Sequence, residues 1–173
     1  MVVVSGVDEQ SIDAPSLGEL VVALAEAKAA VVASRADVHG AIVVGCDSLL
    51  DVDGRAHGKP ASTAEARTRL TMLRGRHAVL RTGHCVIDTR SGRRARGAAA
   101  TTVRFAAFDD DELEAYLATG EALEVAGAFT LDGRSAPFIE GIDGDHGTVI
   151  GLSLPMLRTL LGELCIRVDE LWA

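Results

Sequence analysis

Ala41-Ile42-Val43-Val44-Gly45-Cys46-Asp47-Ser48, with the residues that follow it, decides the fold. The run 41–44 is short, continuous and apolar, which suits a strand buried on both faces, and it ends at Gly45-Cys46-Asp47-Ser48. Leu49 to Val52, Asp53-Gly54 and Arg55 to His57 read as a hairpin, because Asp-Gly favours a type I′ turn. Ser62-Thr63-Ala64-Glu65 has the spacing of a capping box and opens a helix through about Leu73, stopped at Gly75.

Upstream, Leu17, Leu20, Val21, Leu24, Val31 and Val32 follow the helical period, with Ser16 as N-cap. Val2-Val3-Val4 reads as a strand. Downstream, strands are expected over His77 to Asp88 and Ala98 to Phe108, joined by the polar loop Thr89-Arg90-Ser91-Gly92-Arg93. Asp109 caps a helix from Asp110 to Ala118, whose acids cluster at the favourable N-terminal end. Phe129, Leu131, Phe138 and Ile139 suggest short strands, and Ser153 starts a last helix, Leu154 to Leu164, with Pro155 in its first turn. Strands alternating with helices predict an α/β or α+β protein with a mixed sheet.

The chain has 173 residues, 48% apolar and 24% charged, with a net charge of −8. The reading is one domain over residues 1–173, either simple or elongated with two lobes. The apolar fraction excludes disorder, and no run of apolar residues is long enough to span a membrane. The acidic balance argues against a nucleic-acid partner but leaves a small anionic substrate open. Cys46, Cys85 and Cys165 lie far apart, without a CxxC pair, and read as buried free thiols in a reducing compartment. Met1-Val2-Val3-Val4 is too short for a signal peptide, so a cytoplasmic protein is expected.

Three groups of residues could carry chemistry. Asp47, at a strand end, suits a divalent-metal ligand or a proton acceptor; it suits equally a turn aspartate bonded to its own backbone. Gly58-Lys59-Pro60 suits a grip on phosphate, or an ordinary turn with a solvated lysine. Lys28 stands alone in an alanine-rich helix, either as a binding group or on a solvated face. Asp51-Val52-Asp53-Gly54 looks like the DxDG nucleophile motif of haloacid-dehalogenase-type phosphatases, but the hairpin already explains Asp-Gly. The histidines at 39, 57, 77, 84 and 146 lack metal-ligand spacing.

Taken in order, several pieces resemble the Maf family of septum-formation-inhibitor-like nucleoside triphosphate pyrophosphatases. They are Val7-Asp8-Glu9, Leu24-Ala25 through Lys28-Ala29, Gly45-Cys46-Asp47-Ser48, Gly58-Lys59-Pro60 and Leu73-Arg74-Gly75 through Thr82-Gly83. Thr102-Val103-Arg104-Phe105, Tyr116 through Thr119-Gly120-Glu121, Ala126-Gly127-Ala128-Phe129 and Val149-Ile150-Gly151-Leu152 complete the set. The resemblance implies a two-lobed α/β fold around an elongated mixed β-sheet with flanking helices and a cleft between the lobes. It implies hydrolysis of nucleoside triphosphates to monophosphate and pyrophosphate, assisted by Mg2+ or Mn2+, in a protein that pairs as a homodimer.

By the same resemblance Asp47 matches the proton acceptor, and Glu9, Lys28 and Lys59 match the other polar cleft positions; Asp47 with Glu9 is also the candidate metal-ligand pair, and whether Asp47 is base or ligand stays open. Ser48 and Asp132 fall at positions bearing on base selection, where threonine and glutamine are usual, so the preferred base stays open. Family members also open with a strand and a Ser-x-Ser-x-Arg-Arg-like loop ahead of the segment corresponding to Val2. This sequence does not show that opening, either because its start is assigned too late or because the protein is shortened, and a shortened protein is expected to have fewer phosphate donors. The alternative expectation is therefore a catalytically impaired nucleotide-binding or division-linked regulatory protein.

Overall fold

The structure is a computed structural model that describes residues 1–172. Its strands are β1 (Ile42–Val52), β2 (Arg55–His57), β3 (His77–Asp88), β4 (Arg94–Phe105) and β5 (Ile139–Asp143), in one sheet of order β2-β1-β3-β4-β5. The α-helices are α1 (Leu17–Ala33), α2 (Thr63–Leu73), α3 (Asp110–Leu117), α4 (His146–Ile150) and α5 (Leu154–Glu163). The β1–β2 and β4–β5 pairs are antiparallel. The amide of Thr89 donates to the carbonyl of Ala41, which sets the end of β3 beside the start of β1. The amide of Phe105 likewise donates to the Arg76 carbonyl, beside the start of β3. The α/β architecture is as expected, but the described strands run antiparallel throughout, so the sheet is not mixed. A parallel pair needs a crossover back to the same end of the sheet. Here β2 and β3, joined through α2, run the same way but flank β1 on opposite sides, so they do not pair with each other.

The chain divides into two compact units, one of Met1–Asp47, Thr82–Ala99 and Gly151 onward, the other of Ser48–Arg81 and Ala100–Ile150. In the first, β3 is buried on both faces. Cys85 and Ile87 join α1's Ala25 and Ala29 with Val38 and Val43, whereas Val86 joins Ala95 and α5's Leu160 and Leu161. That division follows from the alternation of side chains along a strand. The buried His84 accepts a hydrogen bond from the Ser153 amide at 2.9 Å, which fixes the start of α5.

Helix α1 begins where Ser16 accepts from the Glu19 amide, and it buries Val21, Leu24, Ala25 and Ala29. It lies directly on two strand glycines. A Cβ at Gly45 of β1 would stand 2.4 Å from the Ala25 carbonyl oxygen, and one at Gly83 of β3 only 2.0 Å from that of Val21. Glu26 of the same helix pairs with Arg94 and Arg96, two residues apart on β4.

The second unit has a larger core that includes Leu50, Leu70, Leu80, Val103 and Phe105. Phe105 meets Phe129 edge-on at 4.9 Å, and Phe108 stacks on Phe138 at 4.4 Å. Asp109 and Glu112 form the complete capping box of α3. Tyr116 of α3 donates its hydroxyl to the Ala128 carbonyl at 3.1 Å. Ala128 is itself in the left-handed region, φ 71°, a conformation that a residue with a Cβ keeps only under external restraint. Tyr116→Phe should therefore lower the unfolding free energy by about 1 kcal/mol, read as an unchanged urea m-value with a lower midpoint.

Several expectations change. Residues 2–4 form no strand, and Val2 and Val4 are almost fully exposed. Strand β4 starts at Arg94, earlier than expected, and of the aromatic segments after Gly120 only β5 is a strand. The thiols are not uniformly buried, since Cys165 is exposed. Most important, β1 does not end at Gly45-Cys46-Asp47-Ser48 but continues to Val52, and Val44 is 39% exposed rather than buried. Gly45 breaks the apolar run because a helix packs on it, not because the strand stops there.

Candidate functional site

Asp47 sits near the middle of β1, its side chain only 8% exposed. Because α1 rests on Gly45 through Ala25 and Ala29, Lys28 is delivered beside that carboxylate. Its ammonium hydrogen-bonds Asp47 Oδ1 and lies 2.6 Å from Glu9 Oε1. Glu9 begins a single 3-10 turn, Glu9–Ser11, held by the Asp8 side chain accepting from the Gln10 amide. Three residues far apart in sequence thus make a carboxylate–ammonium–carboxylate cluster within one unit.

Burial raises the Asp47 pKa above the ordinary carboxylate value, and the hydrogen bond from Lys28 offsets this only in part. For Lys28, burial acts downward, but Asp47 and Glu9 outweigh it, so the ammonium is held charged. The adjacent Cys46 thiol is pushed up to about 11 by burial and then by the Asp47 charge, which keeps it protonated at neutral pH and a poor competing nucleophile.

The second unit holds Ser48, Lys59 and Asp132. Ser48 is partly buried on β1, and Asp132 is exposed, its carboxylate accepting from the Thr130 hydroxyl. Lys59 is exposed in the turn between β2 and α2. That turn is clamped from beneath: the Gly58 carbonyl accepts from the Gly127 amide at 3.1 Å and from Arg69 Nη1 at 2.5 Å. Arg69 Nη2 bonds Glu65 Oε1, and Glu65 Oε2 accepts from the Ala61 amide. Glu65 therefore does not complete the expected capping box; Ser62 caps α2 through the Glu65 amide alone. Nothing in the sequence around Arg69, which is 5% exposed, points to this clamp. The one available signal was its spacing from Glu65, four residues along a helix.

Asp51-Val52-Asp53-Gly54 is a hairpin turn, with Asp53 and Gly54 both at positive φ as a type I′ turn demands. Asp51 accepts from the Gly54 amide and pairs with Arg81, and Asp53 pairs with Arg76. Both carboxylates have structural partners, which removes the basis for a DxDG nucleophile.

Among the described residues no group of three or more His, Cys, Asp or Glu side chains is placed to hold a metal ion. Asp47 and Glu9 nevertheless meet at Lys28, and two carboxylates are a donor set that magnesium accepts when phosphate oxygens and water fill its shell. No described helix is long and apolar enough to cross a membrane.

The family of Maf-like proteins matches residues 1–164. The chain is 63% identical over 172 residues to a nucleoside triphosphate pyrophosphatase of Streptomyces coelicolor, covering 99% of this chain and 84% of that one. It is 60% identical over 171 residues to the protein of the same name from Streptomyces avermitilis, covering 99% and 83%. The Salinispora tropica protein of that name is 51% identical over 175 residues, covering 99% and 77%.

Proposed function

Because this chain belongs to the Maf family, we propose that it hydrolyses nucleoside triphosphates to nucleoside monophosphates and pyrophosphate. The observation that carries this reading is the buried Asp47 carboxylate sharing the Lys28 ammonium with Glu9. Water attacks the α-phosphorus, the α–β anhydride bond breaks, and pyrophosphate leaves. Asp47 takes the proton of the attacking water, a role suited by a pKa lifted through burial. Two of the three Lys28 N–H donors are engaged by carboxylates, and the third is offered to a phosphate oxygen. Lys59 supplies a second point charge to the phosphates, and Ser48 and Asp132 bear on base selection; the resemblance supports these three roles. Mg2+ or Mn2+ bound by Asp47 and Glu9 would offset triphosphate charge and polarise a phosphoryl oxygen, and would make Asp47 a ligand in place of a proton acceptor. A cytoplasmic homodimer completes the reading.

The test is product analysis on a panel of nucleoside triphosphates with Mg2+ or Mn2+. Pyrophosphate is the expected product. Orthophosphate release, or thermal stabilisation by the nucleotides without turnover, overturns the reading.

A pH prediction follows from the cluster. Protonated Asp47 cannot accept a proton, so kcat/KM falls as pH drops through its pKa. Lys28 is the group that lowers that pKa, and Lys28→Met leaves burial unopposed. The acid limb of the kcat/KM profile should then move to higher pH, whatever the loss in absolute rate. An unmoved limb assigns the proton to another group.

A further inference from the structure

We propose that Arg69 is a positioning residue for Lys59, acting through a clasp that it forms with Glu65 around the Gly58-Lys59-Pro60-Ala61 turn. The inference rests on the reading that Lys59 meets the phosphates, and it assigns a task to two residues outside that reading. The clasp closes at both ends of the turn. Ahead of Lys59, Arg69 Nη1 holds the Gly58 carbonyl; beyond Pro60, Glu65 Oε2 holds the Ala61 amide. The two arms are joined where Arg69 Nη2 meets Glu65 Oε1 at 2.5 Å, one helical turn apart on α2.

Charge and burial argue that this geometry is specific. The Arg69 side chain is 5% exposed, whereas Lys59 between the arms is exposed. A guanidinium can reach a carbonyl and a carboxylate at once through its planar fork, which an ammonium cannot do with the same direction. Arg69 Nε is buried without a hydrogen-bond partner, so the side chain is committed to these two contacts at a cost. Pro60 has no amide hydrogen and a fixed φ, and the clasp together with the Gly127 amide holds the peptide ahead of Lys59 and the peptide after Pro60. A lysine on a flexible four-carbon stem can place its charge only as well as its Cα is placed.

The experiment is a double-mutant cycle on pyrophosphate release, using the triphosphate that the wild-type chain hydrolyses fastest, with urea midpoints measured in parallel. Arg69→Met should lower kcat/KM about tenfold, mainly through KM, and should have less than about a twofold effect in the Lys59→Met background. Arg69→Lys should not rescue the loss, and the milder Glu65→Gln should show the same non-additivity if Arg69→Met does not fold. Equal effects in both backgrounds overturn the positioning role and leave the Lys59 assignment standing. No effect of Lys59→Met itself overturns that assignment, and the inference with it.

Discussion

Replacing Asp47 with asparagine is expected to reduce pyrophosphate release by about 10³-fold, the scale associated with losing a positioned proton acceptor. The substitution keeps the size and shape of the side chain and removes its charge. Asp47 lies in a strand, so the turn reading is excluded, and an Asp47 that served only as a partner of Lys28 would leave the rates level. A carboxylate that takes a proton has no substitute in an amide. The fold should survive, because Asp47 lies within a β-ladder rather than in a turn and Lys28 keeps Glu9 as counter-charge. Thermal unfolding and steady-state kinetics on the same samples decide the matter: equal rates for wild type and Asp47→Asn remove Asp47 from the chemistry.

The largest stability effect is expected at Gly83. A methyl group there would stand 2.0 Å from the Val21 carbonyl oxygen, 2.2 Å from its carbon and 2.6 Å from the Val22 nitrogen. All three are backbone atoms of α1, so no rotamer change relieves the clash, and the helix must lift from the sheet. Gly83→Ala should lower the unfolding free energy by about 3 kcal/mol or more, at the upper end for overpacking. Activity should fall with it, since α1 carries Lys28. Gly162→Ala in α5 is the control of opposite sign. Nothing lies within 4 Å of its added methyl, and it should stabilise by roughly 0.5–1 kcal/mol. A Gly83→Ala protein as stable as wild type would mean that α1 does not lie flush on β3.

What the sequence disclosed was what short-range chemistry controls. Asp53-Gly54 specified the hairpin because its turn type needs two positive φ angles. Ser16, Asp109 and Ser153 marked helix starts because a cap bonds an amide two or three residues away. Element ends fixed by distant partners were misread. Gly45 looked like punctuation, and only the opposing Ala25 and Ala29 explain it. Glu65 looked like half of a capping box, and only Arg69 and Ala61 show where its carboxylate goes. Val2-Val3-Val4 had strand composition, but no described strand pairs with it. The candidate site was legible as residue types in a family order. Its connection, the 19-residue separation bridged by Lys28 and Asp47, depends on how α1 seats on the sheet.

Asp47 stands on a strand that continues five residues beyond it to Val52. Its coordinates are thereby inherited from the rigid lattice of the sheet instead of from a mobile connection. Insertions or rewiring in the connections around the sheet would leave that carboxylate where it stands, so the scaffold can vary at its surface without moving this acid.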